Sequence, residues 1–216
     1  ASTTSICVYR EDKLIYTHCF AEGGHHATLD ISMLLDVTIA EAENMKKSQA
    51  NVDRHGIDSS QFFTIKRSQH DDEKTINMLE LLEVTEARYI SILGHIKKEL
   101  DKEGLSEFLQ QGYVITGGGA EMRGLLPLAK KIFANKVNKV NQHSAISAYT
   151  QYGDDDKLRT IAAMIGERKY QTAFGTLLYS QSEAFHHSEK SSPDSLQVQP
   201  MREKLKIVNK FFGKFF

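Results

Sequence analysis

The stretch YVITGGGA, residues 113–120, is the part of the sequence that decides the fold. Its apolar start predicts a short buried strand over residues 113–116, and the glycine run Gly117–Gly119 leads into a predicted helix over residues 124–134. Glycines between a strand and a helix bring the backbone close to a nucleotide, because a Cβ would collide with the ligand or forbid the turn. A plain tight turn needs the same residues, and the Walker A and dinucleotide-binding sequences are absent.

Upstream of the glycine run, strand and helix patterns follow one another. The apolar runs at 6–9 and 14–16 flank a polar turn and predict a β-hairpin. A helix is predicted over 38–47, where Thr38 as N-cap and Glu41 three residues later form a capping box. The other predicted segments are a helix over 28–35, a polar loop over 48–60, a strand over 62–65, a helix from Lys74 to about Lys102 that ends at Gly104, and a helix over 170–179.

The composition is that of a soluble globular protein. With 40% hydrophobic and 25% charged residues and a net charge of −1, nothing global indicates nucleic-acid binding. No run approaches the ~20 apolar residues of a membrane span, and no secretory signal opens the chain. Cys7 and Cys19 lie in apolar runs, which predicts buried thiols in a reducing cytosol. The start at Ala1, directly before a strand pattern, favours a piece cut within a domain.

The last part of the chain differs in character from the rest. Residues 181–200 are polar and Ser-rich and predict a disordered linker. In residues 201–216, helical spacing places most basic side chains opposite an apolar face, the pattern of an interfacial membrane helix. Seven apolar residues fall within an arc of roughly 140°: Met201, Leu205, Val208, Phe211, Phe212, Phe215 and Phe216. A terminal helix docked on the core is the alternative. The predicted membrane residues are Leu205, Lys206, Val208, Lys210, Phe211, Phe212, Lys214, Phe215 and Phe216.

Glu43 and Lys46 are three residues apart on the predicted helix 38–47 and therefore project from one face. A carboxylate there can accept from ribose hydroxyls while the ammonium donates. A solvated ion pair within the helix is the alternative explanation of the same spacing.

An ordered series of short motifs points to one family. It comprises ASTTSICVY at 1–9, the hairpin, GG at 23–24, TLDI at 28–31, EAENMK at 41–46, LEVTEARY at 82–89, VITGGGA at 114–120, GL at 124–125 and YQTAFGTLLY at 170–179. Together with the tail, this series resembles FtsA, the actin-like family of bacterial cell-division proteins, over essentially the whole chain.

The resemblance implies the fold and its division. We expect an α/β chain forming half of an actin-like (ribonuclease H-like) fold, with a mixed sheet, flanking helices, a smaller inserted α/β subdomain and a C-terminal amphipathic helix. Subdomain 2A is expected at 1–24 and 88–180, and subdomain 2B at 25–87. The linker and the membrane-binding helix follow at 181–200 and 201–216.

The resemblance also implies binding residues for ATP, with Mg²⁺ only in the complete protein. Residues 1–4 correspond to the end of the second phosphate loop, Glu43 and Lys46 to ribose contacts, and the glycine run to the floor under the adenine. For the tail of the partner protein FtsZ, the resemblance points to subdomain 2B. The implied nucleotide residues are Ala1, Ser2, Thr3, Thr4, Glu43, Lys46, Gly117, Gly118, Gly119 and Met122, and the implied partner residues are Lys66, Arg67 and Lys74.

The function implied is a scaffold rather than an enzyme, with at most weak ATPase activity in the complete protein. It would polymerise, bind ATP and other division proteins, and tether FtsZ filaments through anionic lipids to the inner face of the cytoplasmic membrane at the septum, with no nucleic-acid partner. The alternatives are another actin-superfamily protein, either a scaffold like those of pilus assembly or a phosphotransferase like the sugar kinases. Neither alternative accounts for a membrane-seeking tail.

Overall fold

The structure, a computed structural model, describes residues 2–11, 13–55, 57–58, 60–66, 73–109, 112–134 and 136–139, together with 170, 175 and 176. All named elements lie in the first of the two units into which the chain divides, Ala1–Thr172, the second being Ala173–Phe216. Their order is β1 (Thr4–Arg10), β2 (Lys13–Phe20), α1 (Gly24–Leu34), α2 (Ile39–Ser48), β3 (Phe62–Lys66), β4 (Glu73–Asn77), α3 (Met78–Lys102), β5 (Tyr113–Ile115), a 3-10 turn (Gly118–Glu121), α4 (Leu125–Ile132) and β6 (Val137–Lys139). Within the described residues the strands pair as β1–β2 and β3–β4, both antiparallel, and β5–β6, parallel.

The predicted hairpin is confirmed as β1–β2. Successive side chains of a strand point to opposite faces, and Ile6 and Val8 turn inward to pack with Leu100. In the register of the pair, Cys7 and Cys19 share the outer face. Both cysteines are exposed, so the prediction of buried thiols is wrong. The apolar run around each cysteine contains residues of both faces of a strand, so an apolar neighbourhood in the sequence does not show that the thiol is buried.

Of the two helices after the hairpin, α2 begins as predicted and α1 begins earlier than predicted. The predicted capping box is confirmed: Glu41 N donates to Thr38 Oγ1 at 3.3 Å, and Thr38 N donates to the Glu41 carboxylate at 2.8 Å. Helix α1 begins at Gly24, four residues before the predicted start. There Gly23 N donates to His26 Nδ1 at 3.2 Å, so this histidine belongs to a helix end and not to a loop.

The long helix α3 begins later than predicted. Residues from Lys74 to Asn77 form strand β4, which pairs with β3, and the helix starts only at Met78. Asn77 caps the helix, with its side-chain oxygen accepting from Leu79 N at 2.8 Å. Ile76 satisfies the helical spacing of apolar residues but is buried from the strand instead.

Helix α3 joins two apolar clusters. Leu81 and Leu93 are buried in the cluster that includes residues of α1, α2 and α4, while Leu100, near the other end, packs against the hairpin. Between them Arg88 forms a bidentate ion pair with Asp30 of α1, with N–O distances of 2.6 and 2.9 Å. A two-pronged pair of this kind sets the relative orientation of the two helices.

The glycine-run region is less enclosed than predicted. Strand β5 was expected to be buried, but Val114 is 65% exposed, because within the described residues β5 has one neighbouring strand, β6. Its partly buried neighbour Tyr113 stacks on Phe133, with ring centroids 4.4 Å apart.

Several predictions from the sequence lie mostly outside the described residues. Of the predicted helix over 170–179, only Tyr170, Gly175 and Thr176 are described, the last two as helical. The linker at 181–200 and the tail at 201–216 are not among the described residues, and the division into subdomains 2A and 2B stays a prediction.

Candidate functional site

The Glu43–Lys46 pair lies in a close polar cluster between α1 and α2. Lys46 Nζ is 2.6 Å from Glu43 Oε2, as the three-residue spacing predicts. The same oxygen accepts a hydrogen bond of 2.5 Å from the hydroxyl of Thr28, and Glu43 Oε1 is 3.0 Å from Lys47 Nζ. Both oxygens of the carboxylate are therefore held.

The ammonium of Lys46 is surrounded by acceptors. It donates to Gly24 O at 3.0 Å, to Thr28 Oγ1 at 2.7 Å and to Glu43 Oε2 at 2.6 Å. An ammonium carries three protons, so its donor capacity is matched, and the side chain is only 13% exposed. Sequence reasoning missed Thr28 and Gly24, although both lie in or beside motifs of the resemblance. Their part in the cluster depends on how α1 packs on α2.

The electrostatics favour a charged Glu43 and a neutral Tyr89. Burial by itself raises the pKa of Glu43, but the hydrogen bonds from Lys46, Thr28 and Lys47 outweigh it and lower this pKa to about 2. Burial raises the pKa of Tyr89 to about 12, and the nearby charge of Glu43 adds to the shift. The cluster is thus a fixed anion beside a phenol that keeps its proton.

The glycine run forms a tight, open turn. Gly117 has φ +86° and ψ 174°, a region that in practice only glycine occupies, so the backbone alone explains this residue. Gly119 is different because its φ lies outside the left-handed region, and a Cβ built there would, as at Gly117, meet no atom within 4 Å. Gly118 and Gly119 are exposed, whereas Met122 at the end of the turn is buried in the core. The exposed glycines leave room for a flat ligand to approach the backbone.

A short junction ties the glycine turn to the segment that follows α2. Asn51 forms a parallel bridge with Arg123, and Val52 N donates to Arg123 O at 3.0 Å. Gly124 completes the junction in the left-handed region, close against Asp53. The helix that carries Glu43 and Lys46 and the turn that carries the glycines are thereby held in one arrangement.

A groove of about 360 Å³ lies between α2 and β3. It is lined by polar side chains and by apolar ones of the strand and helix. The lining residues are Glu41, Asn44, Met45, Ser48, Gln49, Phe63, Thr64 and Ile65.

The described residues lack a metal-binding cluster and a membrane-spanning helix. They hold no cluster of three or more His, Cys, Asp or Glu side chains suited to a metal ion. None of the helices in that part of the chain has the length and apolarity to cross a bilayer.

Comparison with known proteins assigns the family. The model of the family described as Cell division protein FtsA matches residues 1–166. The chain belongs to the FtsA family. A cell division protein FtsA of Agrobacterium fabrum is 30% identical over 138 residues, covering 62% of this chain and 31% of that protein. One of Buchnera aphidicola is 25% identical over 221 residues, covering 99% of this chain and 49% of that protein. The chain thus spans a third to a half of the length of these FtsA relatives.

Solved structures show that this FtsA-family chain has an actin-like fold. A crystal structure of MreB5 of Spiroplasma citri bound to ADP superposes with a TM-score of 0.53 at 16% identity, covering 70% of this chain and 53% of that one. A PilM–PilN complex of type IV pilus biogenesis gives a TM-score of 0.55 at 16% identity, covering 84% of this chain and 44% of that one. The expected actin-like α/β fold class is confirmed, while the C-terminal amphipathic helix at 201–216 lies outside the described residues and stays a prediction.

The remaining site residues implied by the FtsA resemblance fall in different places. Ser2 and Thr3 are exposed and Thr4 is half-buried at the start of β1, while Ala1 lies outside the described residues. Lys66 ends β3 without a described side chain, and Arg67 and the tail are not described.

Lys74 does not fit the role of an exposed cation on a helix. It lies on β4, and its ammonium donates to the carbonyls of Leu35 and Asp36 at 2.7 and 3.1 Å. The side chain is 27% exposed and holds the end of α1 against the sheet. Its role in partner binding stays a prediction.

The cluster should make this FtsA-family protein sensitive to acid. Glu43 has a folded-state pKa of about 2 against an ordinary 4.5, so its contribution is present above pH 4.5 and is lost as the pH falls from 4.5 towards 2. Since a third of the side chain is exposed, we expect only about 1 kcal/mol after solvent screening. Urea unfolding at pH 5.5 and 3.5 should show a smaller difference in unfolding free energy for Glu43→Gln than for the wild type.

The matched control for this prediction is Glu107→Gln, at an exposed position outside the cluster. It should lose as much stability as the wild type over the same pH interval. If Glu43→Gln also follows the wild type, the cluster contributes nothing to the pH dependence of stability.

Proposed function

We propose that this chain is part of a division scaffold that tethers FtsZ filaments to the inner face of the cytoplasmic membrane at the septum. The observation that carries the proposal is membership of the FtsA family combined with a tail whose apolar and basic residues separate at helical spacing. Residues 181–200 would act as a flexible linker with a reach of roughly 25 Å. The scaffold would work as a polymer, together with anionic lipids and other division proteins.

We also propose that the scaffold binds ATP. Glu43 and Lys46 would form the ribose site, with Glu43 accepting from the hydroxyls and Lys46, whose donors are taken up within the cluster, fixing the carboxylate. Gly117 to Gly119 would lie under the adenine, where the open glycine turn leaves space. MreB5 of Spiroplasma citri, which shares the fold, has been crystallised with ADP and with AMPPNP. The implied phosphate residues Ala1, Ser2, Thr3 and Thr4 precede or begin β1.

Catalysis is not the proposed role of this chain. Bound Mg²⁺ would supply charge neutralisation at the phosphates, but the described residues offer no clustered ligand set for it. We expect ATP to act as a structural ligand, with any weak hydrolysis depending on groups from the rest of the complete protein.

For the FtsZ tail we propose the groove between α2 and β3. It lies next in sequence to the implied residues Lys66 and Arg67, which follow Ile65 of its lining. Its mixed polar and apolar lining suits a short amphipathic peptide. Lys74 stays in the proposed contact set, although its ammonium also donates to the carbonyls of Leu35 and Asp36.

Filling this groove should prevent peptide binding. Asn44 is an exposed lining residue of α2, and Asn44→Trp would occupy the space of the peptide. We expect the affinity for an FtsZ tail peptide, measured by fluorescence anisotropy, to fall by about tenfold or more. Ala87→Trp, at an exposed position of α3 outside the groove lining, is the control and should bind normally. Equal affinities for both variants would place the peptide elsewhere.

The tethering function is tested by reconstitution. FtsZ filaments should sediment with anionic vesicles only when the full-length protein is added. An excess of the FtsZ tail peptide should release the filaments but leave the protein on the vesicles. The proposal would be refuted if filaments sediment with vesicles equally well without the protein, or if adding the protein does not make them sediment.

A further inference from the structure

Thr28 is buried directly beneath the Glu43–Lys46 pair. Its side chain lies on α1, the residue is 1% exposed, and its hydroxyl contacts both partners at once. It donates to Glu43 Oε2 at 2.5 Å and accepts from Lys46 Nζ at 2.7 Å. A hydroxyl has one proton and two acceptor sites, so both bonds form together. The Gly24 carbonyl, at 3.4 Å, is the more distant and uncharged competitor for that proton.

This contact divides the two oxygens of Glu43 into an inner and an outer one. Oε2 contacts Thr28 and Lys46, while Oε1, among the described residues, contacts the ammonium of Lys47, whose side chain is 71% exposed. Glu43 itself is 35% exposed. One oxygen is thus fixed inside the protein and the other is presented outward, where a hydroxyl donor could reach it.

We propose that Thr28 is a positioning residue for nucleotide binding, one that holds the inner oxygen of Glu43 and the ammonium of Lys46 so that the outer oxygen meets the ribose hydroxyls. The proposal rests on the ATP binding proposed above. A carboxylate held in place loses less conformational entropy when a ligand arrives, so the positioning raises affinity without a direct contact.

The test compares two nucleotides on the full-length protein. Thr28→Val keeps the shape of the side chain and removes the hydroxyl, and Thr28→Ser keeps the hydroxyl. We expect Thr28→Val to weaken ATP binding on the order of tenfold, the usual effect of losing a hydrogen bond to a charged group. Binding of 2′,3′-dideoxy-ATP, which has no ribose hydroxyls for Glu43, should change by less than about twofold. Thr28→Ser should restore ATP binding.

The outcomes separate the positioning role from simpler ones. Equal losses for both nucleotides, or no loss for either, would overturn the positioning role, since a purely structural threonine would not distinguish them. A wild-type protein that binds neither nucleotide would instead refute the proposed ATP binding. If Thr28→Val does not fold, Thr28→Ala provides the same comparison without the branched side chain.

Discussion

Replacing Phe212 by aspartate should release the protein from anionic lipid vesicles, with a loss of affinity on the order of 100-fold. In helical projection Phe212 lies near the centre of the apolar face of residues 201–216, between Leu205 and Val208. The variant removes the apolar contact with lipid and adds the cost of placing a charge in the inserted face. Val208→Glu should act in the same way.

The measurement is vesicle sedimentation over a range of salt concentrations. Asn209→Gln, at the boundary of the apolar face, is the control and should bind like the wild type. Salt should weaken wild-type binding only in part, because the apolar contribution is not screened. A Phe212→Asp protein that stays on vesicles but unfolds at lower temperature would identify the tail as a core helix and refute the tether.

If a single tail binds lipid only weakly, attachment of the protein to the membrane would depend on its polymerisation. An isolated helix of this length is marginal in water, so ordering it on lipid offsets part of the gain. Many tails on one polymer would bind together and hold firmly. A polymerisation-deficient form should therefore bind vesicles less tightly than the polymer.

Replacing Gly124 by alanine should destabilise the fold by about 3 kcal/mol or more. Gly124 has φ +76°, which costs a non-glycine residue about 1–2 kcal/mol by itself. An added Cβ would also lie 2.5–2.6 Å from the Cβ and backbone N of Asp53 and from the side-chain oxygen of Asn51. The backbone atom cannot move aside alone, so the junction between α2 and the glycine turn would have to open.

Gly104→Ala separates the two contributions. Gly104 has φ +66°, but a Cβ there would meet no atom within 4 Å, so only the conformational cost applies. Its effect on the free energy of unfolding in urea should be about 1 kcal/mol. Gly124→Ala should exceed it clearly and should also weaken ATP binding, because the junction holds both halves of the proposed site. Equal effects of the two variants would show that the junction relaxes without cost.

Predictions from the sequence were correct where the interacting residues lie close together in one segment of the chain. The hairpin and the capping box of α2 form within a few residues, and both are confirmed. The predicted start of α3 was wrong because Ile76 fits the spacing of a helix as well as that of a strand. The pairing of β4 with β3, together with Asn77 as N-cap, decides between them, and pairing is not visible in the period of one segment.

The sequence alone determined the family, the actin-like fold class and the spacing that places Glu43 and Lys46 on one helical face, since each depends on ordered motifs or on the helical repeat. Only the tertiary structure decided what surrounds that pair. Thr28 is 15 residues from Glu43, and Lys74 is 39 residues from the carbonyl it holds. Such contacts arise when helices and sheets pack, and the residues that make them carry no mark in the periodicity of their own segments.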